Sequence, residues 1–212
     1  MKRIYKLGLI FGAVVTCIVS SCSSTRLVSS WNAPDASLRG FNKVLVIGLM
    51  GDRDRNLREN TENVIVRRLQ SYGINAGSAY AEYGPKAFEK LEEKAALSKL
   101  KEKGYDGAFT VALLDKSKEK RYTPGMMGIY PGPYRFWGYY NMMYTRIYEP
   151  GYYTVTNNFM LEANFYDLNA DKLLYSGQAR SVDPASPQSL ATEFSDKIFN
   201  DMTQKGIIKQ AE

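Results

Sequence analysis

The chain has 212 residues, a formal charge of +6, no histidine and two cysteines. Without histidine there is no Ser-His-Asp or Cys-His catalysis, no zinc site of the usual Cys/His kind and no histidine pH switch. Carboxylate-only chemistry and calcium binding remain open, and the length suits one domain with a single core.

The N-terminus comes first. Lys2, Arg3 and Lys6 surround the start of an apolar stretch from Leu7 to Val19. It is about 13 residues long, whereas a bilayer-spanning helix needs about 20. A secretory signal needs an apolar core of about 7–15 residues, basic before and small after. Val19-Ser20-Ser21-Cys22 then resembles the lipobox of bacterial lipoprotein signal peptides, in which the cysteine is acylated and becomes the new N-terminus. The resemblance implies a signal peptide over residues 1–21 and lipidation of Cys22. Cys17 suits that role less well, because Val15 and Thr16 precede it and the apolar core would be cut short. An ordinary secretory signal with an incidental cysteine, or an uncleaved anchor, are the alternatives. Ser23 stands where an Asp would favour inner-membrane retention in the lipoproteins this segment resembles, so the implied address is the periplasmic face of the outer membrane. Losing Lys2, Arg3 and Lys6 leaves 25 basic against 22 acidic residues, near +3. That is weak ground for a nucleic-acid partner or a polybasic membrane reading. Acylation of Cys22 would also leave the mature chain without a thiol or a disulfide.

Residues 22–40 are Ser-rich and without periodicity, and read as a lipidated tether. Residues 41–212 read as a single α/β domain. Lys43 to Leu49 is a continuous apolar run, the pattern of a strand covered on both faces. A helix follows from Asp54 to Tyr72, with Leu57, Val64, Ile65, Leu69 and Tyr72 near one face and Gly73 just past its end. Ile74 to Ala79 is a short strand. Pro85 opens a second helix that carries Phe88, Leu91, Ala95, Leu97 and Leu100 and stops at Gly104. Ala108 to Leu114 is a third buried strand. This order predicts parallel strands joined by helical crossovers. From Thr154 to Tyr166 the pattern alternates: Val155, Phe159, Leu161, Ala163 and Phe165 share the apolar side, with Asn157 as its polar break. Residues 167–171 form a turn, and Leu173 to Val182 returns as the hairpin partner. Ser186-Pro187 opens a C-terminal helix with Leu190, Phe194, Ile198 and Met202 on its packed face. The fold class is mixed α/β, with one mixed sheet and helices packed on it.

Several segments together carry a family resemblance: the lipobox, Ser30-Trp31, Lys43-Val44-Leu45-Val46-Ile47-Gly48, Gly104 to Val111, and Phe165-Tyr166-Asp167-Leu168 with Lys172 to Gly177. They look like those of small bacterial outer-membrane lipoproteins of unknown function with a periplasmic α/β domain. The element order also resembles the α/β domains of envelope-assembly lipoproteins, such as the curli-secretion pore lipoprotein and activators of cell-wall synthases.

Residues 122–153 differ from everything around them. They form an aromatic loop rich in Gly, Pro and Met, and its candidate binding residues are Tyr130, Tyr134, Phe136, Trp137, Tyr139, Tyr140 and Tyr144. Such a segment is either a low-complexity insertion whose aromatics cover one another or a contact surface, since Tyr and Trp offer amphipathic area with few torsions to freeze. Met126-Met127 and Met142-Met143 make a thin soft-metal set without His or Cys, so no metal or cofactor is expected. Gly51 to Asn56 reads as a helix entry with solvated charges, and Asp106 and Asp115 as turn residues. A carboxylate-dependent hydrolase would need two carboxylates about 5–9.5 Å apart. The expected function is a non-enzymatic, lipid-anchored envelope module that binds or scaffolds an envelope protein. The alternative is a glycan- or small-ligand-binding lipoprotein using the aromatic loop. The expected partners are the membrane, through the anchor, and an envelope protein or cell-wall glycan, with no nucleic acid. Deleting residues 123–149 is expected to remove partner binding and leave the thermal unfolding midpoint nearly unchanged. A collapse of that midpoint would make the segment part of the core.

Overall fold

A computed structural model describes residues 23–38, 40–86, 88, 92–123 and 152–209. In chain order the elements are β1 (Thr25–Asn32), β2 (Val44–Leu49), a 3-10 turn (Asp52–Asp54) running into α1 (Arg55–Ser71), β3 (Ala76–Ser78), α2 (Ala79–Tyr83), α3 (Glu93–Glu102), β4 (Gly107–Thr123), β5 (Tyr152–Asp167), β6 (Lys172–Val182) and α4 (Pro187–Gln204). The strands form one sheet in the order β1-β6-β5-β4-β2-β3. β2 is parallel to β3 and β4, and the remaining pairs are antiparallel. The predicted mixed α/β class, with one mixed sheet and helices packed on it, is the observed one.

The main correction concerns residues 22–40. Where a tether is expected, Thr25 to Asn32 is an edge strand paired with β6 from Thr25↔Ser181 to Asn32↔Tyr175. A register shift at Val28 breaks the period of two, and Ser29-Ser30 gives the strand a low-complexity look. Beyond β1, Ala33 and Leu38 are buried, and the Leu38 N–H donates to the Ile207 carbonyl at 2.9 Å. Only Ser23 and Ser24 precede β1 among the described residues.

The second correction lies between β3 and α3. The expected strand Ile74 to Ala79 shortens to three residues, and Ala79 to Tyr83 is helical instead, capped by Ser78 Oγ accepting from the Ala81 N–H at 3.1 Å. Gly84 takes a φ of 76°, the chain turns through Pro85, and the next helix begins only at Glu93. Gly73 and Gly104, at φ 79° and 77°, stop α1 and α3 as predicted, in a conformation that a Cβ disfavours.

The large core lies between the sheet and the pair α1 and α4. Phe109 stacks on Phe199, and Phe199 on Tyr72, both at 5.8 Å between centroids. The predicted Leu190, Phe194, Ile198 and Met202 are all buried there. On the opposite face Leu45 packs with Ala79, Leu100 and Tyr105, so β2 is covered on both sides, as its unbroken apolar run requires. The same face of β4, β5 and β6 carries Thr110, Asn164, Glu162, Ser176 and Gln178, none of them fully buried, which accounts for the alternation in β5.

One carboxylate joins the two layers. Glu62, on α1, has no exposed surface. Its Oε1 accepts from the Gly48 N–H at 2.8 Å and from Arg58 Nε at 3.2 Å, and its Oε2 accepts from Ser78 Oγ at 2.6 Å and the Tyr80 N–H at 2.7 Å. Gly48 has to be glycine for this approach, since a Cβ would meet Arg58 Cγ at 2.7 Å and Glu62 Oε1 at 3.2 Å. Removing one partner from such a site strands the others without water. Glu62→Ala is expected to cost about 3–5 kcal/mol in urea-unfolding stability, whereas Glu59→Ala, exposed on the same helix, should change it little.

Candidate functional site

The end of the sheet where β2, β4 and β6 finish gathers most of the distinctive chemistry. β4 leaves β2 after Leu49↔Ala112, and β5 meets β6 only from Asn158↔Val182 onward. Beyond these rows, Lys118 to Thr123 and Tyr152 to Asn157 pair with each other alone. They form a two-stranded ribbon that reaches about 20 Å past the sheet. A ribbon of two strands is marginal by itself in water, and its base is pinned. Asp183, at φ 49°, accepts from the Asn157 N–H at 2.9 Å and from Asn157 Nδ2 at 3.1 Å, and returns its own N–H to the Asn157 carbonyl at 2.8 Å.

A bulge decides what this ribbon shows. The pairing slips between Leu113 and Asp115, so Leu114 has no partner across the strand. The core side of β4 therefore runs Phe109, Val111, Leu113 and then Lys116, Lys118, Lys120, level with Phe159, Asn157 and Val155 of β5. Without the extra residue, Asp115, Ser117 and Glu119 would face that way. Lys116 Nζ binds Asp54 Oδ1 at 2.5 Å and lies 5.7 Å from the Phe159 ring centroid. Val155, expected on the buried side, is on that side but 43% exposed, because the ribbon has already left the body.

Beneath the ribbon a hollow of about 250 Å³ opens between the first turns of α1 and α4. Leu57, Phe159, Leu190 and Pro187 give it an apolar lining, and Asp54, Lys116 and Asn157 rim it. The Asp54 and Lys116 head groups hold each other and Asn157 is bound to Asp183, so the hollow suits an apolar group better than a charged one. The expected helix entry at Gly51 to Asn56 contributes Asp54 to this rim; its 3-10 turn is closed by the Asp54 N–H on the Gly51 carbonyl at 2.9 Å.

The start of the described chain belongs to the same end. Ser23 Oγ and Ser24 Oγ donate to Glu193 Oε2 on α4, at 3.1 and 3.0 Å. The Val182 N–H reaches the Ser24 carbonyl at 3.1 Å. Burial pushes the Glu193 carboxyl up, but the hydroxyls of Ser24, Thr25, Ser189 and Ser23 outweigh it and hold it below the usual range.

A second polar cluster sits at the opposite end of β2. Glu82 accepts from the Tyr105 hydroxyl and from Lys103 Nζ at 3.2 Å, with Lys43 Nζ at 3.8 Å. Lys43 also lies 4.1 Å from the Tyr105 ring centroid. Burial raises Glu82, and the donors more than reverse it. Burial and the Glu82 carboxylate push the Tyr105 hydroxyl up. With its groups turned on one another, the cluster is a staple between α2 and the start of β4.

The other sequence candidates divide cleanly. Asp106 takes the Asn42 N–H at 2.7 Å, Asn42 Nδ2 at 2.8 Å and the Lys43 N–H at 3.0 Å, which is the turn role expected of it. Asp115 is no turn residue; it follows the bulge in β4, eight residues of strand beyond Gly107, and the two aspartates do not meet. Cys22 and the aromatic candidates Tyr130, Tyr134, Phe136, Trp137, Tyr139, Tyr140 and Tyr144 lie outside the described residues. Sequence reasoning missed the ribbon and its lysines. The alternation Lys116-Ser117-Lys118-Glu119-Lys120 was a readable strand signal, obscured because it holds no apolar residue.

No protein-family model matches the chain, and no curated protein matches it. Among solved structures it is similar to the PelC dodecamer from Paraburkholderia phytofirmans, at 14% identity over 88% of this chain and 99% of that one, with a TM-score of 0.48. It is also similar to lipoprotein GNA1162 from Neisseria meningitidis, at 14% identity over 77% of this chain and 99% of that one, with a TM-score of 0.43. Both are distant likenesses in chain course, too remote to carry function across.

Glu82 and Glu193 make acid sensitivity predictable. A carboxyl held below its ordinary value adds stability that is full above that value and is lost as the pH falls through the folded one. The urea midpoint should therefore drop as the pH falls below 4.5, the ordinary glutamate value. Glu82→Gln combined with Glu193→Gln should lower the neutral midpoint and flatten that acid limb.

Proposed function

We propose that the chain is a lipid-anchored envelope protein, held at the periplasmic face of the outer membrane through Cys22, and that it works as a non-enzymatic binding or scaffold module. The observation that carries this reading is Val19-Ser20-Ser21-Cys22 behind a basic start and a short apolar core. Two features of the folded part support it. Strand β1 begins three residues after Cys22 in the sequence, which leaves little chain between that position and the sheet. The ribbon then carries Thr123 and Tyr152, which flank residues 124–151 in the sequence, away from the body in register. That segment holds Tyr130, Tyr134, Phe136, Trp137, Tyr139, Tyr140 and Tyr144, the side chains with which interfaces make most of their energy. Among the described residues no helix is long and apolar enough to cross a membrane. A chain without histidine, its one remaining cysteine acylated, has few nucleophiles or general bases to offer.

A glycan- or small-ligand-binding role is the second reading, favoured by two described features. One is the apolar hollow at the base of the ribbon. The other is Trp31, 52% exposed on the open sheet face beside Ser176 and Asn164. An indole next to amide and hydroxyl groups is a stacking platform for a sugar ring.

Cys22→Ser is expected to abolish acyl labelling and move the protein from the membrane fraction to the soluble one. Crosslinking in intact cells should recover a discrete envelope protein with the intact chain and lose it when residues 124–150 are deleted. Saccharide quenching of tryptophan fluorescence that survives Trp137→Phe and disappears with Trp31→Phe would instead favour the glycan reading.

A further inference from the structure

The start of the described chain, at Ser23 and Ser24, and the basic ribbon lie at the same end of the domain. Thr25, Ser181, Phe159 and Lys116 form one row across β1, β6, β5 and β4. At about 4.8 Å per strand the row is roughly 14 Å wide. β1 is antiparallel to β6, so the chain running back from Thr25 through Ser24 and Ser23 travels in the direction in which β6 ends. The ribbon runs the same way from Lys116, about 24 Å to Thr123.

The leash is shorter than the ribbon. Glu193 holds Ser23 and Ser24 against α4, and Cys22 is one Cα step, about 3.8 Å, from Ser23. An acylated Cys22 would keep this end of the domain within about 10 Å of the headgroups. A ribbon that projects farther than its tether meets the surface to which the tether is fixed.

Its core-side face has the matching chemistry. Lys116, Lys118 and Lys120 stand at alternate positions, about 6.8 Å apart. Asp54 neutralises Lys116, whereas Lys118 and Lys120 have no carboxylate partner among the described residues. Val155 lies across from Lys120, and Tyr153, 70% exposed, continues the same face. Glu119 faces the other way with Arg121. Lysines beside a tyrosine suit the boundary where phosphates meet the acyl region.

We propose that this face of the ribbon docks on the anionic phospholipid headgroups of the membrane that holds Cys22; the proposal rests on the lipid-anchored reading above. The lysines set the tilt of the domain relative to that surface. The sequence alone argues against a polybasic contact, because the mature chain is near neutral. Alternation along β4 nevertheless puts three lysines on one face, and the bulge at Leu114 turns that face to the core side of the ribbon.

The test uses the mature chain carrying Cys22→Ser, which has no acyl anchor, mixed with phosphatidylcholine vesicles with and without phosphatidylglycerol. The chain is expected to sediment with the phosphatidylglycerol vesicles alone, less so as salt rises. Lys118→Gln with Lys120→Gln should lower that partitioning about 25-fold, roughly five-fold per lysine. Lys94→Gln with Lys101→Gln makes the same change of charge on α3 and should leave it unaltered. Circular dichroism of both variants should match that of the parent. Equal binding to both vesicle types, equal loss in both double variants, or release by inorganic phosphate at matched ionic strength would each overturn the proposal. The mass of Cys22 in chain extracted from cells tests the anchor separately. An unmodified Cys22 with lysine-dependent vesicle binding would sink the anchor and leave the docking surface standing. An acylated Cys22 without lysine dependence would do the reverse.

Discussion

A single carboxylate with no exposed surface sets the geometry of the domain. Glu62 draws the Gly48 N–H of β2, the Ser78 hydroxyl at the end of β3, the Tyr80 N–H of α2 and its neighbour Arg58 onto two oxygens. A buried charge is tolerable only when its lone pairs are filled, and here four donors fill them. The arrangement fixes α1 across β2 and β3. That in turn places Asp54, one residue before α1, within reach of Lys116 at the foot of the ribbon. The interior charge and the surface site are thus joined through one helix.

Two small irregularities convert this scaffold into an oriented one. The register shift at Val28 lies within β1, which finishes the sheet edge and brings Ser23 and Ser24 under Glu193 where a tether over residues 22–40 was expected. The extra residue at Leu114 reverses which side of β4 faces the helices beyond the sheet. Each moves a row of side chains to the opposite face, because the side-chain period of a strand is two.

Much of the architecture was legible because it is periodic. The run Val44 to Leu49 announced a strand buried on both faces, and Leu45 and Val46 do go to opposite sides of the sheet. Ser186 and Pro187 announced the start of α4, and Ser186 Oγ does accept the Ser189 N–H. Elements with broken or polar periods were not legible. β1 looked like a tether and the ribbon half of β4 looked like nothing, since neither buries an apolar row. Nothing local in the sequence sets Glu62 apart from the exposed Glu59 on the same helix. Its burial depends on Ser78 and Tyr80, 16 and 18 residues away, meeting it in space.

By itself, then, the sequence determined the mixed α/β class, the helix stops at Gly73 and Gly104 and the packed face of α4. Those follow from local chemistry: side-chain periodicity, capping and the positive φ that glycine tolerates. Only the tertiary structure decided that the start of the described chain, the apolar hollow and the lysine face share one end. Their relation depends on strand direction and register between residues far apart in the chain, as in the row from Thr25 through Ser181 and Phe159 to Lys116. Non-local pairing of that kind leaves no trace in any window of the chain.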